Sequence, residues 1–287
     1  MSSFKLLVRP VSKWIVPRRS IHSSAIVRAT AEPETEAATA RAERTMTRFW
    51  KRAGVREEKD NITVVLDKRN LRTPSKNVVQ FPVKQRELAL LTAAEWDAQT
   101  KNLKAHTLPL TSIVARAIDA FDPAHAEDLT VRGAVIDKLM VYFDTDAICY
   151  HEEFPEILTE LQDKYWKPIL DWTRNEFNVQ INTTTDIFAI TQPDETKAKF
   201  RAIIDQMGPL ELSAFEKAVL SSKSFLIGFA LVHQGISVEH AACAAQVEMN
   251  AQMDRWGEVE DSHDVEREYI RQTLGSVAIA LMDKHQG

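Results

Sequence analysis

The stretch Phe225-Leu226-Ile227-Gly228-Phe229-Ala230-Leu231-Val232 is apolar at every position, and it decides the class of fold. It forms the second half of a helix that the sequence predicts over residues 211–234. A helix that is apolar all round belongs at the centre of a bundle, because each of its faces must be buried. Gly228, in its middle, predicts the close approach of a neighbouring element.

Helical patterns dominate the chain on both sides of this stretch. Hydrophobic periodicity predicts helices near 111–121, 126–143, 155–177, 195–207, 211–234, 237–256 and 262–284. Gly208-Pro209 and Gly235 are stop signals between three of them. Ser237 is the predicted N-cap of the helix that it begins. Residues 179–190 are the exception, because their Thr and Ile content predicts one or two short strands.

A small meander precedes the helices. Residues 62–66 predict a β-branched strand, 67–70 a turn and 78–82 a second extended piece. Pro74 and Pro82 should mark strand ends, since proline has no N–H to donate to a sheet.

The period changes from two to 3.6 after Pro82. Residues 83–100 predict a helix with an apolar face of Leu88, Leu91, Ala94 and Trp96.

The first 31 residues differ in composition from the rest. They contain six basic and six serine residues and no acidic one, the composition of a mitochondrial transit peptide. A cationic amphipathic segment is drawn to anionic membrane and along the inner-membrane potential. We therefore predict a transit peptide over 1–31, the alternative being a disordered basic tail, and a linker over 32–45. Residues 19–24 resemble a two-step matrix processing site, which would start the mature chain near Ala29.

Charge and hydropathy exclude several classes of partner. Removing the six leader cations takes the formal net charge from −5 to −11. An acidic protein is poorly suited to phosphate backbones, so no nucleic-acid partner is predicted. The longest strongly apolar stretch has eight residues, whereas a membrane span needs ~20, so no span is predicted in the mature protein.

Signatures of catalysis and cofactor binding are sparse. The chain has 8 glycines and no GxGxxG, GxxxxGK[ST], GxSxG or HExxH pattern, which excludes nucleotide binding through those loops. His240 and Cys243 could share one helical face, but zinc needs three or four ligands. Glu260 and His263 match half of a di-iron motif that bundle sites use twice. No cofactor or metal is predicted.

Tryptophan 256 stands out among the six tryptophans of the chain. Most tryptophans belong to the core, and Trp96 is predicted to pack between domains. Trp256, however, ends a predicted helix beside Gly257 and a cluster of acids. That position predicts an anchor for a partner protein.

Six short motifs occur in order along the chain: Arg48-Phe49-Trp50-Lys51, Leu66-Asp67-x-Arg69-x-Leu71-Arg72-Thr73-Pro74, Ala94-Glu95-Trp96-Asp97-Ala98-Gln99, Pro109-Leu110-Thr111, Thr145-Asp146-x-x-Cys149-Tyr150 and Gln252-x-x-x-Trp256-Gly257. Together they resemble the mitochondrial chaperone family specific for the alpha subunit of ATP synthase. The resemblance covers roughly residues 46–275.

The resemblance implies an α+β fold, with a small N-terminal α/β domain with a short antiparallel sheet (46–108) followed by a larger all-helical domain (109–287). It implies binding of the free alpha subunit in the mitochondrial matrix and no catalysis. The family's functional region is similar to the acidic stretch after Trp256-Gly257. The implied partner-binding residues are therefore Gln252, Trp256, Glu258, Glu260 and Asp261. Glu260 is the first choice, although Glu258 is an alternative match, and a monomer is the simplest state.

Two other functions remain open at the level of sequence. An uncharacterised matrix enzyme predicts a deep pocket with a carboxylate or histidine of strongly perturbed pKa. A permanent subunit of a matrix complex would stay in the finished assembly, from which a chaperone would be absent.

Overall fold

A computed structural model describes residues 47–186, 190–259 and 262–285 of the chain. The predicted transit peptide and linker lie outside the described residues, as do Glu260 and Asp261 of the predicted partner-binding set. Within the described ranges, no helix is both long and apolar enough to cross a membrane.

The N-terminal part is an antiparallel sheet built around strand β2 (Asn61–Leu66). One edge of β2 pairs with β1 (Ala53–Glu57). The other edge pairs with β3 (Arg69–Asn70) at its end and with β4 (Gln80–Pro82) at its start. Ile62, Val64 and Leu66 of β2 are buried, so the predicted strand over 62–66 is confirmed. Pro82 ends β4, also as predicted.

Two details of the sheet differ from the prediction. Strand β1 was not predicted, because its sequence has a single β-branched residue, Val55; backbone pairing with β2 makes it a strand. The turn predicted over 67–70 is only Asp67–Lys68, since residues 69–70 form β3. Asp67 has φ 54°, and its carboxylate accepts the backbone N–H of Lys51 and of Arg52.

Helix α1 (Arg86–Asp97) packs against β1 and β2. The predicted apolar face was wrong in part, because Leu91 and Ala94 are exposed. Small side chains lie against the sheet instead: Ala89, Thr92 and Ala93 are buried beside Leu88. Close packing of helix on sheet favours these short side chains over the longer leucine.

Residues 95–97 join this sheet layer to the first helix of the next part, α2 (Pro109–Arg116). The Glu95 carboxylate accepts the N–H of Leu110 at 2.7 Å and of Thr111 at 2.9 Å, which caps α2. The Trp96 ring N–H donates to Thr111 Oγ1 at 2.9 Å, and Asp97 accepts the N–H of Ala53 at 2.9 Å. Residues 95–97 therefore connect strand β1 and helix α1 to helix α2 and have a structural role.

Further helices follow in chain order: α3 (Thr130–Asp144), α4 (Glu156–Tyr165), α5 (Lys167–Phe177), α6 (Asp194–Asp205), α7 (Pro209–Ser222), α8 (Phe225–Val232), α9 (Val238–Ala245), α10 (Val247–Trp256) and α11 (His263–Ala280).

Helix α8 lies at the centre of this helical part, as the sequence predicts. All eight of its residues are buried. A Cβ placed on Gly228 would lie 2.9 Å from Val219 Cγ2 on α7, so the predicted close approach is confirmed. The Phe229 ring packs 4.9 Å from the rings of both Phe177 and Phe200, centroid to centroid. The α+β class, with a small antiparallel sheet followed by helices, is confirmed.

Three helices predicted as continuous are each two helices. The predicted helix over 155–177 is broken at Trp166, whose buried ring N–H donates to the Ala244 carbonyl at 2.8 Å. The helix over 211–234 ends its first half at Lys223, which has φ 57°, and Ser224 caps the second half. The helix over 237–256, capped by Ser237 as predicted, is interrupted at Gln246. A contact with another helix therefore accompanies the break at Trp166, and a left-handed residue followed by a serine cap makes the break at Lys223.

The strands predicted over 179–190 are wrong for the residues that are described. Thr184 forms an isolated bridge with Tyr150, and residues 187–189 lie outside the described residues. The Gln192 carboxamide holds the segment, since its oxygen accepts the Asn182 N–H at 3.0 Å and its nitrogen donates to the Asn182 carbonyl at 3.1 Å. Side-chain hydrogen bonds replace the sheet pairing that Thr and Ile favour.

Replacing Gly235 by alanine should lower the free energy of unfolding by about 2 kcal/mol, because the new methyl overpacks its surroundings. A Cβ at Gly235 would lie 2.3 Å from Cε2 of Trp172. Urea denaturation measures the loss. Gly133→Ala is the matched control, since nothing lies within 4 Å of a Cβ there and alanine is the better helix former. Equal stabilities of Gly235→Ala and the unmodified protein would contradict the clash.

Candidate partner-binding site

Trp256 ends helix α10 and projects from the protein surface with 70% of its area exposed. Gly257 follows with φ +89°, a conformation that L side chains rarely adopt, and its N–H donates to the Met253 carbonyl at 2.8 Å. The Arg255 guanidinium carbon lies 5.1 Å from the centroid of the indole. The glycine stop therefore presents a large aromatic ring at a fixed helix end.

Gln252 lies one turn before Trp256 and is exposed. It lines a cleft of about 420 Å³ between the first residues of α10 and those of α11, together with Ser262 and His263. The structure thus brings Gln252 close to the start of α11, whereas Trp256 does not line this cleft.

Glu258 is tied to helix α11. Its Oε1 lies 2.5 Å from a guanidinium nitrogen of Arg267, and about half of the Glu258 side chain is exposed. An exposed ion pair of this kind contributes only about 0–1 kcal/mol to stability, so the carboxylate can exchange partners at low cost.

Backbone contacts hold the chain on either side of Glu260 and Asp261, which themselves lie outside the described residues. The Val259 N–H donates to His263 Nδ1 at 3.1 Å, which requires an unprotonated Nδ1 in this arrangement. The Val259 carbonyl accepts the His263 N–H at 3.2 Å. Val259 is therefore held against His263, the first residue of α11.

Exposed apolar side chains accompany Trp256, and sequence reasoning missed them. Val259 is exposed, and so are Val265 and Tyr269 on α11. Val265 and Tyr269 are four residues apart and share one helical face. The signal available in the sequence was this apolar pair on a face that otherwise carries charge.

Phe154 belongs to the same end of the protein by topology. Helices α4 and α10 pack together, and Trp166, just after α4, bonds to Ala244, just before α10. The two helices therefore run antiparallel, which places the exposed Phe154 at the end where Trp256 lies. No periodic pattern in the sequence brings these two residues together.

The other tryptophans of the described chain are packed. Trp50 and Trp166 are buried, and Trp96 and Trp172 pack against the core while partly exposed. Trp96 lies 5.2 Å from the Trp50 ring, centroid to centroid. Trp256 is thus the exception among the described tryptophans, and its role as an anchor stays a prediction.

Residues with catalytic or metal-binding chemistry have structural partners. His240 Nε2 is 2.9 Å from the Tyr165 carbonyl oxygen, and Cys243 Sγ is 3.7 Å from Glu239 Oε1. Burial raises the pKa of the Cys149 thiol above its ordinary value. Among the residues that the structure describes, no three His, Cys, Asp or Glu side chains are grouped to hold a metal ion.

Asp146 is the described carboxylate with the most perturbed pKa, and it is a buried cap. Burial raises the pKa of Asp146 to about 6. Its two oxygens accept the N–H of Ile148 at 3.2 Å and of Leu226 at 2.8 Å, the latter in the first turn of α8. Because it is only 1% exposed, it stabilises the core and has no access to a substrate.

Charge is distributed unevenly along the chain. Residues 109–287, which include all five predicted partner-binding residues, carry 15 Lys and Arg against 30 Asp and Glu, a formal net charge of −15. The negative electrostatic potential of this part attracts basic surfaces of other proteins and raises the rate at which they associate with it.

Comparison with known proteins gives a consistent result. The family model described as ATP12 chaperone protein matches residues 47–174. The chain is 32% identical over 239 residues to the mitochondrial protein atp12 of Schizosaccharomyces pombe, with 81% of each chain covered. It is 30% identical over 287 residues to the mitochondrial protein ATP12 of Saccharomyces cerevisiae, with 88% of each covered. Both relatives are named as mitochondrial, which supports the predicted targeting.

A solved structure shares the fold. The crystal structure of Atp12 from Paracoccus denitrificans superposes with a TM-score of 0.67, and the structure of a mutant of that protein superposes with a TM-score of 0.68; each is 27% identical to this chain in sequence. The superposition covers 83% of this chain and 97% of the bacterial one.

Proposed function

Because the chain belongs to the ATP12 chaperone family, whose description is that of chaperones and not of enzymes, we propose that it binds the free alpha subunit of ATP synthase in the mitochondrial matrix. It masks the surface of the alpha subunit that later faces the beta subunit. It thereby prevents aggregation until the catalytic head is assembled.

The observation that carries this proposal is the exposed aromatic surface at the end of α10. Soluble monomers seldom leave a tryptophan 70% exposed without use, and clustered exposed apolar groups mark interaction sites. Trp256 at the end of α10, Val259 in the connection to α11, and Val265 and Tyr269 on one face of α11 provide such groups. Tryptophan and tyrosine are residues that dominate binding energy at interfaces.

Acidic groups supply the second part of the recognition. Glu258, Glu260 and Asp261 follow the tryptophan directly in the sequence. We assign to them contacts with basic groups of the alpha subunit that the beta subunit would otherwise make. Charges at the rim of an interface mainly set the association rate and the specificity.

Release requires no nucleotide hydrolysis under this proposal. A free alpha subunit exposes an interface that promotes aggregation when uncovered. Covering it lowers the concentration of the exposed form by mass action. The beta subunit then displaces the chaperone because it binds the same surface more tightly, so the chaperone's affinity must be moderate.

Glu260→Lys should weaken capture of purified alpha subunit about 10-fold, because it replaces an attractive contact by a repulsive one. The chaperone variants are immobilised on a surface, and the amount of alpha subunit that each variant captures is measured. Circular dichroism checks that each variant is folded. Glu176→Lys on α5 is the matched control: Glu176 is exposed and the substitution changes the charge equally.

The result separates two claims. Equal capture by both variants and the unmodified protein would remove Glu260 from the interface. Failure of the unmodified protein to bind the alpha subunit, or to keep it soluble, would refute the proposed function itself.

A further inference from the structure

The N-terminal part of the described chain has a charge opposite to that of the helical part. Residues 47–108 carry 13 Lys and Arg against 7 Asp and Glu, a formal net charge of +6. Residues 109–287 have a net charge of −15. A partner bound only through basic groups would be attracted by the helical part and repelled by the sheet, so this basic part calls for a separate explanation.

A cleft of about 900 Å³ opens on this basic part, at the end of β2 and along β3. Its floor is apolar and includes Trp50, Leu66, Leu71 and Leu103, which are buried. Phe49 stands at the cleft with 64% of its area exposed. The Phe49 ring packs edge-on against Trp50, with the centroids 5.1 Å apart. The cleft therefore offers an aromatic contact surface that the described residues leave open.

Three cations line the same cleft: Lys68, Arg69 and Arg72. All three are exposed, and none forms an ion pair with any residue that the structure describes. The guanidinium carbon of Arg69 lies 5.6 Å from the centroid of the Phe49 ring. One guanidinium nitrogen of Arg72 donates to the Lys76 carbonyl at 2.6 Å, which orients the group without neutralising it.

Two carboxylates of the N-terminal part, Asp67 and Asp97, have partners outside the cleft cations. Asp67 accepts the backbone N–H groups of Lys51 and Arg52. Asp97 accepts the Ala53 N–H, and its Oδ1 lies 3.6 Å from a guanidinium nitrogen of Arg48. Among the residues of known placement, no Asp or Glu lines the cleft, so the positive charge of the three cations is available to a ligand.

We propose that this cleft docks an acidic segment of the client protein that carries a bulky apolar side chain. The inference rests on the proposed chaperone function and adds a second, oppositely charged contact to it. The apolar side chain covers the floor and the Phe49 ring, and its acidic neighbours pair with Lys68, Arg69 and Arg72. Arginine and aromatic groups together are the composition of interface hot spots. Two contacts of opposite charge also orient the client, because the reversed orientation places like charges together.

Charge reversal at the cleft tests the proposal. The triple variant Lys68→Glu, Arg69→Glu, Arg72→Glu should bind purified alpha subunit at least 10-fold more weakly than the unmodified chain. Phe49→Ser should also weaken binding without any change of charge. The matched control is Lys59→Glu, Lys84→Glu, Lys104→Glu, which changes the charge of the same part equally at exposed residues outside the cleft and should retain near-normal binding. Circular dichroism and urea denaturation confirm that each variant is folded.

The outcomes discriminate. Equal weakening by the two triple variants would mean that the general field of the basic part matters and the cleft does not, which overturns the proposal. Normal binding of the alpha subunit by both the cleft variant and Phe49→Ser would also overturn the cleft proposal. In that case the proposed chaperone function still stands, provided that the unmodified chain binds the alpha subunit. Flotation of the unmodified chain, but not the cleft variant, with phosphatidylglycerol vesicles would assign the cleft to a lipid surface instead. If the unmodified chain does not bind the alpha subunit, the proposed function is refuted. The cleft proposal is then refuted as well, because it rests on that function.

Discussion

Trp256→Ala will weaken capture of the alpha subunit about 100-fold and will leave the stability of the chaperone unchanged within about 0.5 kcal/mol. The two effects separate because the ring is 70% exposed in the free protein. Little burial is lost on truncation of the free chain, whereas a central aromatic anchor accounts for about 2–4 kcal/mol of binding. Titration calorimetry gives the affinity, and urea denaturation gives the stability.

Leu129→Ala is the control for the tryptophan substitution. Leu129 is exposed to a similar extent and directly precedes α3, so it belongs to neither α10 nor α11. Trp256→Phe should recover part of the lost affinity, since it keeps an aromatic ring on the same helix end. Equal affinities of Trp256→Ala and the unmodified protein would show that the α10 end is not the client surface.

Asp146 should make the stability of the protein depend on pH in an unusual direction. Burial raises the pKa of Asp146 to about 6 from its ordinary 3.8, although the N–H of Leu226 and of Ile148 oppose the rise. The folded state therefore holds the proton more tightly than the unfolded state does. The resulting stabilisation is complete below pH 3.8 and is lost as the pH rises through about 6. A shift of about two units corresponds to about 3 kcal/mol.

Asp146→Asn removes this titration and keeps a neutral side chain of the same shape. The stability of the unmodified protein minus that of Asp146→Asn should fall by about 3 kcal/mol between pH 4 and about pH 7.5. Asp119 provides a control of opposite sign. Against the desolvation that would raise it, hydrogen bonds from Thr73, Asn77 and Ser75 hold the pKa of Asp119 below its ordinary value. The corresponding difference for Asp119→Asn should rise with pH, and a flat profile for Asp146→Asn would contradict the cap's proposed ionisation.

The position of Asp146 also explains why a conspicuous carboxylate is not evidence of catalysis here. It lies beside the start of the central helix α8, where its Oδ2 accepts the N–H of Leu226. N–H groups at a helix N-terminus favour the ionised form of a carboxylate, but at Asp146 the desolvation that comes with burial outweighs them. A perturbed pKa therefore marks the core of this chaperone, while the exposed surface at Trp256 carries the proposed function.

Local sequence patterns were sufficient to predict those helices and strands whose residues all lie in one kind of environment. An unbroken apolar helix such as 225–232 is stable in water only when all of its faces are buried, so the sequence alone predicted the helix at the centre of the bundle. The β-branched run in β2 and the helix end at Trp256-Gly257 were predictable for the same reason. Each of these signals depends on neighbours within one or two turns of chain.

Tertiary contacts decided what local patterns left open. Strand β1 exists because β2 offers it backbone partners, and helix α1 turns its alanines inward because the sheet comes close. The break at Trp166 depends on a carbonyl of Ala244, 78 positions away.

The candidate site divides in the same way. Its tryptophan and acidic residues were chosen from the sequence, but the exposed Phe154, Val265 and Tyr269 come from separate segments. The basic cleft likewise combines residues 47–50 with residues 66–72. The sequence by itself determined which segments must be buried, since transfer of apolar groups from water is a property of the side chain. Only the tertiary structure decided which surfaces meet and which remain open, because that depends on partners distant along the chain.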